Sequence, residues 1–216
     1  MKNILLRDAF PDFDQELRNA LYAAGELHLY KKDEIIHRHN HQLDSTALIM
    51  SGCVKMYREN EQLNGLEFLI AFLGKGKCYG GSLSEESPED VRKSLLTFKA
   101  IEPTHILTIP FPIKDQLTKQ FDQWYKYILQ TNVQFFGVYV TLIDNIVFNT
   151  LEKRVDFYLF QLMEACNTTM LKVTHQEIAD SLNASRESVS RILKKKEASH
   201  QVRLGHTTIE ILEFLL

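Results

Sequence analysis

Residues 174–194 constrain this chain more than any other stretch. Thr174 is followed three places on by Glu177, the spacing of a capping box. In that arrangement the threonine oxygen takes a free amide of the first helical turn, and the glutamate reaches back to the threonine amide. Ile178, Ala179 and Leu182 then fall on one side of a short helix. Asn183 breaks it, because asparagine tolerates a left-handed backbone, and Ser185 is a good N-cap for the helix that follows. Two short helices joined by a tight turn are the sequence form of a helix-turn-helix.

The second helix can be rotated about 100° per residue to show what each face carries. With Arg186 at zero, Ser190 lies near ~40°, Lys194 near ~80°, Glu187 near ~100° and Arg191 near ~140°. Val189 and Ile192 lie opposite, near ~300° and ~240°, with Leu193 at the edge. The polar face has the chemistry that a major groove demands. Arginine grips guanine through two hydrogen bonds, glutamate accepts from the cytosine amino group, and serine serves either base or phosphate. Around it lie Arg186, Arg191, Lys194, Lys195, Lys196 and Arg203, against Glu187 and Glu197, so the segment predicts a cationic patch. The patch has to be local, since the whole chain of 216 residues carries a net charge of −3.

Thr174-His175-Gln176-Glu177-Ile178-Ala179 followed by residues 185–193 resembles the DNA-reading element of the Crp/Fnr transcription regulators. The resemblance implies an α+β chain. Its parts are an N-terminal β-roll (a jelly roll) of the cyclic-nucleotide-binding type, a long dimerisation helix and a C-terminal winged helix-turn-helix. The expected division is a sensor domain at 1–111, a dimerisation helix and linker at 112–149, and a DNA-binding domain at 150–216. The function implied is regulation of transcription, without enzymatic activity, by a homodimer paired through the 122–148 helix. Its partners would be double-stranded DNA and RNA polymerase. Base reading falls to Arg186, Glu187, Ser190 and Arg191, and phosphate contacts to Thr174, His175, Gln176, Ser185 and Lys194.

The remaining chain is consistent with those parts. Residues 13–25 read as a short helix ending at Gly25, with Leu17 and Leu21 inward. From Glu26 the hydrophobic period becomes two. Short runs at 27–30, 34–37, 46–50, 53–58, 66–73, 95–101 and 105–109, separated by turn residues, predict an antiparallel roll. Ser51-Gly52-Cys53-Val54 resembles a strand of the family's roll in which glycine serves a tight turn. The family resemblance places an effector pocket at Gly80, Gly81, Ser82, Leu83, Arg92 and Lys93, with Tyr139 from the long helix. Members that bind cyclic AMP carry a glutamate after the last glycine and an aligned arginine-serine pair. Here Gly80 is followed by Gly81-Ser82-Leu83, and Ser94-Leu95 stands where arginine-serine would be. A cyclic phosphate buried without an aligned cation is unfavourable. The sequence therefore predicts an unknown effector, no cofactor, and no cyclic AMP binding of the usual kind.

His37, His39 and His41 alternate, and on one strand they would share a face. That pattern supports an alternative, a cupin-like metal-binding sensor or enzyme built on the roll. The further glutamate and distant histidine of such sites have no clear counterpart, so no metal is expected. Cys53, Cys78 and Cys166 form no CxxC pair, which predicts neither a disulfide framework nor structural zinc. No basic-then-apolar leader precedes Asp8, and the expected location is cytoplasmic.

Asp122 is a natural N-cap for a helix that runs to Phe148 with no proline. Ile128, Phe135 and Leu142 recur every seven residues, with Asn132, Tyr139 and Ile146 four beyond each, which is coiled-coil spacing. A second stripe, Leu129, Phe136 and Ile143, lies beside it. Such a helix needs cover on two sides, its own roll on one and a partner's matching helix on the other. Gln134, Thr141, Asp144 and Asn145 interrupt any membrane-length apolar run. Thr150 should cap the next helix, with Val155, Leu159 and Leu162 inward, and Gly205-His206 should turn a wing hairpin.

Overall fold

The computed structural model describes residues 1–60 and 66–213. The chain forms two compact units, residues 1–56 with 73–138 and residues 57–72 with 139–216. These units cut across the ranges expected from sequence, because the long helix is divided between them and residues 57–72 join the second.

The first unit opens with α1 (Lys2–Ala9) and α2 (Gln15–Ala24). The Asp14 side chain caps α2 by accepting from the Leu17 amide at 2.8 Å, and Gly25 ends it as expected. The sequence reading has no counterpart to α1; its Leu6 and Ala9 belong to the unit's core. The strands are β1 (Glu26–Tyr30), β2 (Ile35–His37), β3 (Ser45–Ser51), β4 (Val54–Asn60), β5 (Leu66–Leu73) and β6 (Cys78–Tyr79). After α3 (Glu89–Arg92) come β7 (Thr97–Ala100) and β8 (Thr104–Pro110). One sheet has the order β1-β8-β3-β6 and the other β2-β7-β4-β5, with β4 carrying the chain from the first unit into the second. β8 is the hub of the first sheet, paired antiparallel to β1 and to β3. Gly52 turns β3 into β4 at φ +84; a Cβ there would come within 2.6 Å of the Pro103 carbonyl.

Pro110 ends β8, and the chain becomes helical at once. α4 (Phe111–Gln120) is followed by α5 (Asp122–Phe148). The base of α5 is held by an aromatic cluster. Trp124 is fully buried, and Tyr127 meets Phe10 and Phe13 edge-on at 5.5 and 5.3 Å. The Cys78 thiol lies in the same core, where burial pushes it up to about 11 against hydrogen bonds from Tyr127 and Thr131.

α5 does not present its two apolar stripes equally. Ile128 is buried, and Phe135 and Leu142 are half-buried. Leu129, Phe136 and Ile143 are exposed, as are Val133, Val140 and Val147. Phe136 is 71% exposed and Ile143 58%. The open seam is therefore the second stripe noted in the sequence, and the stripe named first is the better covered one. Among the described residues no helix is long and apolar enough to cross a membrane.

The second unit holds α6 (Leu151–Cys166), β9 (Met170–Leu171), α7 (His175–Leu182), α8 (Arg186–Ala198), β10 (Val202–Leu204) and β11 (Ile209–Ile211). Thr150 caps α6 as anticipated, its side chain accepting from the Lys153 amide. The wing hairpin is present, with the Gly205 amide donating to the Thr208 carbonyl at 2.8 Å. The short strand β9 went unpredicted. It pairs antiparallel to β11 and makes the wing three-stranded, in the order β10-β11-β9. β5 packs here too, the Phe72 ring meeting Tyr158 of α6 edge-on at 5.3 Å.

Candidate nucleic-acid interface

The two helices of the reading element begin and end as their caps dictate. Thr174 Oγ1 accepts from the Glu177 amide at 3.2 Å, and Glu177 accepts from the Thr174 amide at 2.7 Å, closing the capping box. α7 ends at Asn183 in the left-handed region, φ 50. Ser185 then accepts from the Ser188 amide at 3.2 Å and starts α8. No glycine is needed at this turn, because asparagine bears the positive φ at small cost.

The packing of α8 revises the helical-wheel reading in two places. Val189 and Leu193 are fully buried, whereas Ile192 is only half-buried. The buried arc is thus turned toward Leu193, which the sequence had put at the edge. Lys196 is also buried, at 4% exposure, with its ammonium on the Asp156 carboxylate of α6. Its place on the wheel, near ~280°, lies beside Val189. Burial pushes the Asp156 carboxyl up, ahead of the opposing pull of Lys196. Lys195 pairs with Glu152 at 2.9 Å and Arg203 with Glu210 across the wing. Glu197 accepts from the Leu204 amide at 2.9 Å. The cationic patch counted from sequence is therefore smaller than it looked. Three of its six basic residues have acidic partners, and the others are Arg186, Arg191 and Lys194.

Those three line one open depression on α8 together with Glu187 and Ser190. All four residues expected to read bases are thereby brought together, with Lys194 beside them. Arg186, Glu187, Arg191 and Lys194 are exposed, and Ser190 is half-buried. Of the residues expected at phosphates, His175 is tied to this face, its Nδ1 lying 2.9 Å from Ser190 Oγ. Burial lowers the imidazole's proton affinity, and Arg186 and Lys194 lower it further. Thr174 gives its hydroxyl proton to Glu177, Ser185 gives its own to Ser188, and Gln176 donates to Asp180 at 2.7 Å.

Three contacts to α6 were not anticipated: Lys196 with Asp156, Lys195 with Glu152, and the Arg154 guanidinium on the Leu182 carbonyl at 2.7 Å. The wheel position of Lys196 was the one available signal for any of them.

The comparisons with known proteins bear on this element first. Residues 153–214 match the model of a Crp-like helix-turn-helix domain. The cyclic AMP receptor protein of Thermus thermophilus is 27% identical over 169 residues, 78% of this chain and 76% of that one. Residues 153–214 are thus a Crp-like helix-turn-helix domain, and the chain as a whole is similar to the Crp/Fnr regulators. Solved Crp/Fnr-type structures share its fold at low identity. The c-di-GMP-responsive global regulator CLP of Xanthomonas campestris is 17% identical, with a TM-score of 0.75 over 93% of this chain and 100% of that one. A Crp/Fnr transcriptional regulator of Thermus thermophilus is also 17% identical, at 0.71 over 88% and 94%. A Crp-like helix-turn-helix domain is a DNA-binding unit, and the depression on α8 is its candidate DNA surface.

Of the effector residues the family suggests, six lie in the first unit and Tyr139 in the second. Gly80 has φ +74, and Gly81 is buried against Ile128. Leu83 accepts from the buried Lys114 ammonium at 2.6 Å. Arg92, 17% exposed, has Nη1 3.8 Å from Glu85. Ser82 and Lys93 are exposed, Lys93 forming a β-bridge with Gln42. Ser94 donates to the Leu96 carbonyl at 2.6 Å. Tyr139 is 41% exposed.

The histidine trio does not form the face that alternation promised. β2 stops at His37, and Asn40 takes φ 64. His37 Nε2 therefore lies 3.2 Å from the His41 carbonyl, and the His39 amide donates to Thr97. Among the described residues no group of three or more His, Cys, Asp or Glu side chains is arranged to hold a metal. The cupin-like alternative is not favoured.

Proposed function

We propose that the chain acts in the cytoplasm as a homodimer, paired through residues 122–148, that reads a pseudo-palindromic duplex site. Two copies of α8 enter successive major grooves one helical turn apart. Arg186, Glu187, Ser190 and Arg191 read base edges. Thr174, His175, Gln176, Ser185 and Lys194 hold phosphates, which fix register and carry no sequence information. Residues 1–111 sense an effector, 112–149 pair and link, and 150–216 bind DNA. The protein partner beyond the second copy, on the family resemblance, is RNA polymerase. The effector differs from cyclic AMP bound in the usual manner, because Arg92 faces Glu85 and no arginine-serine pair stands at Ser94-Leu95. Two supports of the usual site are missing, the glutamate that contacts the ribose and the aligned cation that neutralises the cyclic phosphate.

One observation carries the reading: the polar side chains of α8 share an open depression while Val189, Leu193 and Lys196 are clamped beneath it. The test is binding of the full-length chain to duplexes selected from a randomised library. Arg186→Ala should relax preference at its own base pair by about 1–3 kcal/mol. If Arg186→Ala binds cognate and scrambled duplexes as the parent does, the assignment is wrong.

A further inference from the structure

His175 and Ser190 meet across the turn between α7 and α8, Nδ1 to Oγ at 2.9 Å. A serine hydroxyl has one proton to give, so the sense of this bond fixes what the oxygen still offers to a base. The charged groups acting on the imidazole from α8 are Arg186 and Lys194. On its own helix, Glu177 is engaged by Thr174 and Asp180 by Gln176. The bond to His175 is the one internal hydrogen bond the Ser190 hydroxyl makes among the described residues.

We propose that His175 sets the hydrogen-bond sense of Ser190, so that the base preferred opposite Ser190 depends on the protonation of this one imidazole. The inference rests on the recognition-helix reading above. When the neutral ring turns Nε2–H to a phosphate, Nδ1 carries the lone pair and accepts the serine proton. Ser190 then presents only lone pairs and favours an amino group, adenine N6 or cytosine N4. When the ring is protonated, Nδ1–H donates to Oγ and the serine proton is released toward an acceptor, guanine O6 or N7 or thymine O4. Burial first, and then the two neighbouring cations, disfavour the charged ring in the free protein, and a phosphate at Nε2 works in the opposite direction.

The experiment uses the full-length dimer and duplexes selected from a randomised library at about pH 8 and about pH 5.5, either side of ordinary histidine titration. Fluorescence anisotropy then compares four duplexes that differ only at the pair whose preference Ser190→Ala flattens. In the parent, the affinity ratio of amino-presenting to carbonyl-presenting bases should fall about five-fold on acidification, the worth of one hydrogen bond. His175→Gln should hold one ratio at both pH values. Affinity changes common to all four duplexes cancel in the ratio. If Ser190→Ala flattens the preference but the parent's ratio does not move with pH, the inference fails while the recognition reading stands. If Ser190→Ala and Arg186→Ala both bind every duplex as the parent does, the reading itself fails. As a second measurement, imidazole nitrogen shifts of His175 on the selected duplex should show a bare Nδ1 at the higher pH. A protonated Nδ1 there overturns the inference.

Discussion

α5 and α8 each have one covered face and one open face, and the open faces could hardly differ more. α5 leaves Leu129, Val133, Phe136, Val140, Ile143 and Val147 uncovered, an apolar seam at heptad spacing. α8 leaves Arg186, Glu187, Arg191 and Lys194 in water and needs no cover at all. An uncovered apolar seam of this length is uncommon on a monomer and is satisfied by another apolar surface. A charged, hydrated face is satisfied by a polyanion that releases counterions. On the proposed function, the difference separates the part of the chain assigned to its own copy from the part assigned to DNA.

The comparison breaks most visibly at the seam. Phe136→Asp combined with Ile143→Asp places two carboxylates per chain where apolar contact is required. Dimer stability should fall by about 5 kcal/mol or more, measured by sedimentation equilibrium. An unchanged dimer would remove the seam from the account. Next in size is the covered face of α8. Lys196→Ala leaves the Asp156 carboxylate buried and unpaired, and should cost about 3–5 kcal/mol in chemical denaturation. Lys194→Ala, two residues away and exposed, should leave stability within about 0.5 kcal/mol.

The covered face of α5 is tested by alkali. Burial raises the folded thiol of Cys78 from its ordinary 9.0 to about 11. A raised pKa means the folded state binds the proton more tightly. This contribution is therefore fully present below pH 9 and is lost as pH rises toward 11. It should amount to roughly 3 kcal/mol, and Cys78→Ala should flatten the fall in melting temperature across that window. The smallest effect belongs to the open face of α8. Lys194→Ala should weaken all duplexes alike and reduce the salt slope by about one per protomer.

How much of this was legible in the sequence follows from the kind of signal each feature leaves. Caps are local chemistry, and Thr174 with Glu177, Asn183, Ser185 and Thr150 all behave as their side chains require. Strands with a period of two were placed to within a few residues. The open seam of α5 was harder to read, because Ile128, Phe135 and Leu142 are as apolar and as regularly spaced as Leu129, Phe136 and Ile143. Only tertiary packing separates them. Lys196 was counted with the DNA-facing cations because its charge drew more attention than its angle. The partner that admits it, Asp156, lies forty residues earlier. α1 and β9 are too short to show a period, and the histidine trio failed because alternation holds only while the strand lasts.

The ties between α8 and α6 have a mechanical consequence. α5 ends at Phe148 and α6 starts at Leu151, with only Asn149 and Thr150 between them. Asp156 and Glu152 bolt one end of α8 to α6, and Arg154 fastens the end of α7 to the same helix. A twist applied at that two-residue joint is therefore delivered to the open face of α8 as a turn of the whole lever, with little slack along the way.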